Sequence, residues 1–151
     1  MDLKSLAQKL DRDLSISAQL KPFGRTDQLV LEVRAADLLK TAAWVRSEES
    51  ARMDFLENFS CYEFRSKLVF SYFLRSQVHG KTLILRTEET VPENERLPIP
   101  SVAAVWPMVQ PFEDEIHELF GIDFTPNRGR YAAATAFPLR KTYVWESEVM
   151  Q

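Results

Sequence analysis

A chain of 151 residues and 17.5 kDa has the size of one ordinary domain, long enough to bury roughly 70% of the surface its unfolded form exposes. Its 45% hydrophobic and 27% charged residues match a folded globular chain rather than a disordered or membrane-embedded one, and its charge of -3 lacks the basic excess of a nucleic-acid-binding domain. The single cysteine, Cys61, excludes an internal disulfide framework and a Cys-ligated zinc or iron–sulfur site, while Gly24, Gly80, Gly121 and Gly129 lie too far apart for a phosphate-cradling glycine loop.

No stretch approaches the ~20 apolar residues of a membrane span. Met1-Asp2-Leu3-Lys4 puts charge where a signal peptide is apolar, so a cytoplasmic domain is expected. Ser5 to Leu14 sets Leu6, Leu10 and Leu14 at four-residue spacing and predicts an amphipathic helix. Pro22, Gly24 and Asp27 mark a turn before a strand, Leu29-Val30-Leu31-Glu32-Val33. Ala35 to Val45 predicts a second helix with Leu38, Leu39, Ala42 and Val45 facing inward. Asp54 to Phe64 reads better as a strand than as a helix, on its aromatics Phe55, Phe59, Tyr62 and Phe64.

The clearest local unit is a hairpin of Leu68–Leu74 and Thr82–Arg86 around Gln77-Val78-His79-Gly80, whose glycine can take the positive φ of a tight loop. Both strands are apolar at nearly every position, which predicts a sheet covered on both faces, by helices of this chain or by another protein. Glu88 to Pro100 is polar and carries prolines, so a solvated loop is expected there. Ser101 stands as the N-cap of a helical run, Val102 to Trp106, that Pro107 and Pro111 interrupt. Pro111 precedes the next helix, which has Glu113, Asp114 and Glu115 in its first turn and is closed by Gly121. Phe112, Ile116, Leu119 and Phe120 share one side of it, and Asp114, Glu115 and Glu118 the other. Thr125 to Gln151 shows no periodicity but carries Arg128, Arg130, Arg140, Lys141, Tyr143 and Trp145, and is expected to lie on another surface.

The elements predict an α+β fold of two layers. A small mixed or antiparallel sheet packs with helices over residues 1–124, and 125–151 form a long irregular C-terminal extension that docks on a partner. Side chains offering chemistry are few. Glu113 or Asp114 could share a metal with His117 at helical spacing, but no second histidine is near in sequence, and His79 sits on the hairpin turn. The acids Glu113, Asp114, Glu115 and Glu118 could serve acid–base chemistry, yet acids in a first turn are already favoured by the helix dipole. Asp114 and Glu118 repel at i,i+4, which hints at a basic partner surface. Cys61, between Phe59 and Tyr62, reads as an inert buried thiol, and Trp44, Trp106 and Trp145 as core or interface anchors.

Ser101-Val102-Ala103-Ala104-Val105-Trp106-Pro107, then Phe112-Glu113-Asp114-Glu115-Ile116-His117-Glu118-Leu119-Phe120-Gly121-Ile122, resembles the signature of one family. That family is the 30-kDa subunit of the proton-pumping NADH:quinone oxidoreductase, respiratory complex I, with the homologous subunits of membrane-bound nickel–iron hydrogenases. Its pattern is S-V-x-x-I/V-W/Y-P, four residues, then W/F/Y-E-R-E-x-x-D-x-F-G-I/V, and the spacing here matches without a gap. Phe137-Pro138-Leu139-Arg140-Lys141 resembles the family's closing H-P-L-R-K-D, with Thr142 for the final aspartate. Asp114 replaces the arginine between the glutamates, Glu118 replaces the later aspartate, and Asn127-Arg128-Gly129-Arg130-Tyr131 shortens the arginine-rich stretch.

The resemblance implies a similar fold and a cofactor-free scaffold subunit of the peripheral arm, without activity of its own. Its partners would be the large hydrogenase-like (49-kDa-type) subunit and iron–sulfur subunits; the clusters, NADH and quinone would reside in those partners. Its location would be the cytoplasmic side of a bacterial inner membrane, peripheral through the complex, with no nucleic acid bound. Phe112, Ile116 and Phe120 would anchor the interface, Glu113, Glu115 and Glu118 would offer carboxylates, and Arg128, Arg130, Arg140, Lys141 and Trp145 would add the tail's contacts. The equivalent subunit of a hydrogenase or ferredoxin-linked relative is the alternative, and a stand-alone metal hydrolase using Glu113, His117 and Glu118 the third reading.

Overall fold

Aromatic and branched residues crowd the middle of the chain, and there they build a sheet. In the computed structural model, which describes residues 3–90 and 97–126, the elements run α1 (Leu6–Leu14), β1 (Gln19–Pro22), β2 (Leu29–Glu32), α2 (Leu38–Ser47), β3 (Phe55–Phe64), β4 (Lys67–Ser76), β5 (Lys81–Thr90), β6 (Leu97–Pro100), α3 (Gln110–Phe120) and β7 (Ile122–Thr125). The main sheet has the order β1-β2-β5-β4-β3. Only β2 and β5 run parallel within it; the other neighbours are antiparallel. The fold is α+β with a mixed sheet.

Side chains alternate across a strand, so register assigns each to a face. Leu20, Leu31, Leu85, Tyr72 and Phe59 form one row across all five strands. That face joins α1, α2 and α3 in a single core cluster. The opposite face carries Val30, Ile84 and Phe73 in one row and Glu32, Arg86, Ser71 and Ser60 in the next. Val30, Ile84 and Val69 are buried there outside the main core. Burying one such side chain is worth about 1.5–3 kcal/mol.

Two helices depart from their predicted faces. Leu14 is 39% exposed because Ser15 ends α1 in the left-handed region (φ 56), its N–H bonding Asp11 O at 2.8 Å. Leu39 is also 39% exposed. A 3-10 turn occupies Ala35–Asp37, α2 starts at Leu38, and its buried stripe is Leu38, Thr41, Ala42 and Val45, with Trp44 buried beside it. That i, i+3, i+4, i+7 spacing leaves Leu39 off the stripe. Thr41 fits inside because its hydroxyl donates to Asp37 O at 2.8 Å.

The expected loop from Glu88 to Pro100 is corrected at both ends. β5 continues through Thr90, held by β4 down to the Lys67–Thr90 pair. A full-length antiparallel partner outweighs polar composition there. Leu97–Pro100 is β6, paired parallel with β7. Prolines are tolerated on a two-stranded edge, where their missing N–H leaves no gap in a central ladder. Val102 to Trp106 form a single turn closed by Trp106 N–H to Val102 O at 2.9 Å, not a helix. The boundary expected after residue 124 falls inside β7, whose Thr125 carbonyl accepts the Ser101 N–H at 2.8 Å. Among the described residues no helix is long and apolar enough to cross a membrane.

Candidate functional site

The signature residues converge on one supersecondary unit, β6–turn–α3–β7. Two parallel strands four residues long need a crossover, and α3 supplies it. Pro111 sits in the first turn of α3, where its lacking N–H is harmless, and Gly121 ends the helix at φ 74 with its N–H on His117 O at 2.9 Å.

The inward stripe of α3 is Glu113, Ile116, His117 and Phe120. Glu113 is 0% exposed. Its Oε1 accepts the Ser101 hydroxyl at 2.8 Å and its Oε2 accepts the Val102 N–H at 3.2 Å. Ser101 Oγ in turn accepts the Ala103 N–H at 3.1 Å, so serine and glutamate together cap the turn between β6 and α3. Trp106 is wholly buried, and its Nε1 donates to Met53 O at 2.9 Å. Arg46 Nη1 donates to Val105 O, a second tie from the α2–β3 region. His117 is buried too, and its Nδ1 donates to Ile122 O at 2.8 Å with Asp123 Oδ1 at 3.6 Å.

The structure places three of the expected interface residues inward. The Glu113 carboxylate is buried and accepts from Ser101 and Val102. Ile116 and Phe120, 6% and 4% exposed, pack in the core. The cause is helical phase: counting i, i+3, i+4, i+7 from Glu113 gives the buried stripe, a signal present in the sequence but masked by the acid itself. Glu115, Glu118 and Asp114 are exposed, and Phe112 is half-buried. A groove of 270 Å³ runs between α3 and β3, with Phe112, Glu115 and Leu119 on one wall and Phe59 and Cys61 on the other. Cys61 is therefore half-buried rather than sealed in the core. Arg128, Arg130, Arg140, Lys141 and Trp145 lie outside the described residues.

The hydrolase constellation does not assemble. Glu113 and His117 turn inward onto separate partners, whereas Glu118 points outward. His79 Nε2 donates to Glu49 O at 2.7 Å on another part of the fold. Among the described residues no group of three or more His, Cys, Asp or Glu side chains is disposed to hold a metal. One perturbed group adjoins the unit. Burial, followed by the nearby Glu113 carboxylate and Cys61, holds the Tyr72 phenol well above its ordinary range. Its ring stacks on Phe59 at 4.0 Å between centroids, and Phe59 meets Phe124 edge-on at 5.9 Å, so the main sheet and β7 share one aromatic seam.

The family model described as respiratory-chain NADH dehydrogenase, 30 Kd subunit, matches residues 31–149. Among solved structures, the chain is similar to one from the membrane-bound sulfane sulfur reductase (MBS), an archaeal respiratory membrane complex. The TM-score is 0.66 at 17% identity, covering 82% of this chain and 70% of that one, a likeness of fold. No curated protein sequence matches significantly.

Proposed function

The chain belongs to the respiratory-chain NADH dehydrogenase 30 Kd subunit family, and from that premise we propose that it is a non-catalytic scaffold subunit of a complex I-like peripheral arm. It packs against the large hydrogenase-like subunit and iron–sulfur subunits, and reaches the membrane through them. The observation that carries this reading is the inward use of the signature. Ser101, Trp106, Glu113, Ile116 and Phe120 go to bracing one βαβ unit, and among the described residues no group of three or more His, Cys, Asp or Glu side chains is disposed to hold a metal. A signature employed in this way supports a shape-giving role. One cysteine in the whole chain likewise supports placing the clusters in partner subunits.

The outer side of α3 offers the contact surface, with Glu115 and Glu118 exposed beside half-buried Phe112 and Leu119. Carboxylates beside apolar side chains suit arginines of a neighbour. The exposed Asp114, where the family pattern has arginine, favours a second reading, the same subunit in a hydrogenase-type complex with a more basic partner.

Affinity purification of the tagged full chain tests both. Co-purifying iron–sulfur subunits with NADH-dependent quinone reduction are expected. A hydrogenase large subunit without an NADH-oxidising module selects the second reading, and a monodisperse free monomer refutes both.

A further inference from the structure

The sheet face turned away from the helices contains a recess of 500 Å³. Its floor is the row Arg86, Ser71 and Ser60, in register on adjacent strands β5, β4 and β3. Phe73, Tyr62 and the Phe23 turn form the walls. Arg86 is half-buried, its guanidinium carbon 5.8 Å from the Phe23 ring centre. A guanidinium has five N–H donors, yet its hydrogen bond among the described residues is one long contact from Nε to Ser71 Oγ at 3.4 Å. The acids of this face are engaged elsewhere. Glu32, the in-register neighbour of Arg86, pairs with Lys21 at 3.3 Å; Glu88 pairs with Lys67 at 4.0 Å and Glu57 with Arg75 at 3.0 Å.

A half-buried arginine between aromatic walls and hydroxyls has the donors and the surroundings that suit a carboxylate. Charge-assisted, bidentate pairing of arginine with a carboxylate is about twice as strong as a neutral hydrogen bond, and it gains further where water is partly excluded. Tyrosine and arginine in one recess also match the composition of interface hot spots. A free inorganic anion would satisfy Arg86 but leave the Phe23, Tyr62 and Phe73 rings uncovered. A polypeptide segment bearing an acidic side chain among apolar ones satisfies both.

We infer that this recess docks an Asp- or Glu-bearing segment of a neighbouring subunit, the carboxylate seated on Arg86, Ser71 and Ser60. It is a second contact surface, on the opposite side of the sheet from α3, and it rests on the reading of the chain as a subunit of a larger complex.

The test uses the complex recovered through a tag on the full chain, with a photo-crosslinking p-benzoylphenylalanine in place of Phe73. Irradiation is expected to link Phe73's position to another subunit, within a peptide that mass spectrometry shows to contain Asp or Glu. Arg86→Glu is expected to cut the crosslink yield at least tenfold and Arg86→Lys less. Changing the identified partner acid to arginine is expected to restore the yield with Arg86→Glu, a rescue that misfolding cannot mimic. A complex that assembles but gives no crosslink to another subunit overturns the inference alone. So does a link to an acid-free peptide, a link to residues 127–151 of the chain itself, or millimolar sulfate displacing nothing yet binding the free chain through Arg86. Failure to recover any complex removes the scaffold reading, and this inference with it.

Discussion

Replacing Trp106 with phenylalanine tests whether the signature is spent on bracing the fold. The indole is 0% exposed and donates through Nε1 to the carbonyl of Met53, itself 0% exposed, at 2.9 Å. Phenylalanine keeps a ring but not the donor, so the Met53 carbonyl is left buried and unpaired at a cost of about 1–3 kcal/mol. The smaller ring also leaves a void of roughly a few tens of Å³, which at ~24 cal/mol per Å³ adds about 1 kcal/mol. The expected loss is about 2–4 kcal/mol, or a fall in Tm of roughly 5–15 °C for a chain of this length. Urea unfolding followed by circular dichroism measures it, with an unchanged m-value as the check that the denatured state is not altered. Val78→Ala, at a position 59% exposed on the hairpin turn, is the control and should stay within about 0.5 kcal/mol. A loss below about 1 kcal/mol for Trp106→Phe would refute the packing account of the signature.

Tyr72→Phe is expected to be neutral or to stabilise by up to about 1 kcal/mol. Its hydroxyl is buried with no hydrogen-bond partner among the described residues, while the ring's stacking on Phe59 survives; a destabilisation beyond about 1 kcal/mol in the same urea assay contradicts this. Glu115→Lys, on the exposed side of α3, is expected to leave the melting temperature of the free chain within about 2 °C while cutting recovery of the complex several-fold; a large loss of monomer stability with intact assembly reverses the expectation. The Trp44 indole, then Arg12, hold the Asp13 carboxyl below its ordinary value of 3.8. A depressed folded-state pKa means that the ionised form stabilises the fold, fully so above 3.8 and progressively less as pH falls through the lowered value. Asp13→Asn keeps an acceptor for Trp44 but cannot titrate, so the fall in stability below about pH 4 should become shallower; an unchanged acid limb rules the coupling out.

Local physics carried much of the chain's design into its sequence. Leucine spacing marked α1, Gly80 marked the β4–β5 turn, and Pro111 with Gly121 bracketed α3, because periodicity, positive φ and end-capping act over a few residues. The spacing from Ser101 through Trp106 to Gly121 also pointed to the family. What needed the tertiary structure was which acids of α3 turn inward, and those strands that only a distant partner defines. Polar Glu88-Glu89-Thr90 is strand because β4 runs alongside it, and proline-rich Leu97–Pro100 is strand because β7 pairs with it twenty-five residues later. Glu113 looked like a surface acid until Ser101 and the Val102 amide closed on it. Arg86 looked like an ordinary strand cation until register set it beside Ser71 and gave its acidic neighbour to Lys21. A residue's charge is written in the sequence, whereas the groups that neutralise it are contributed by remote segments, so its role emerges only once the chain has folded around it.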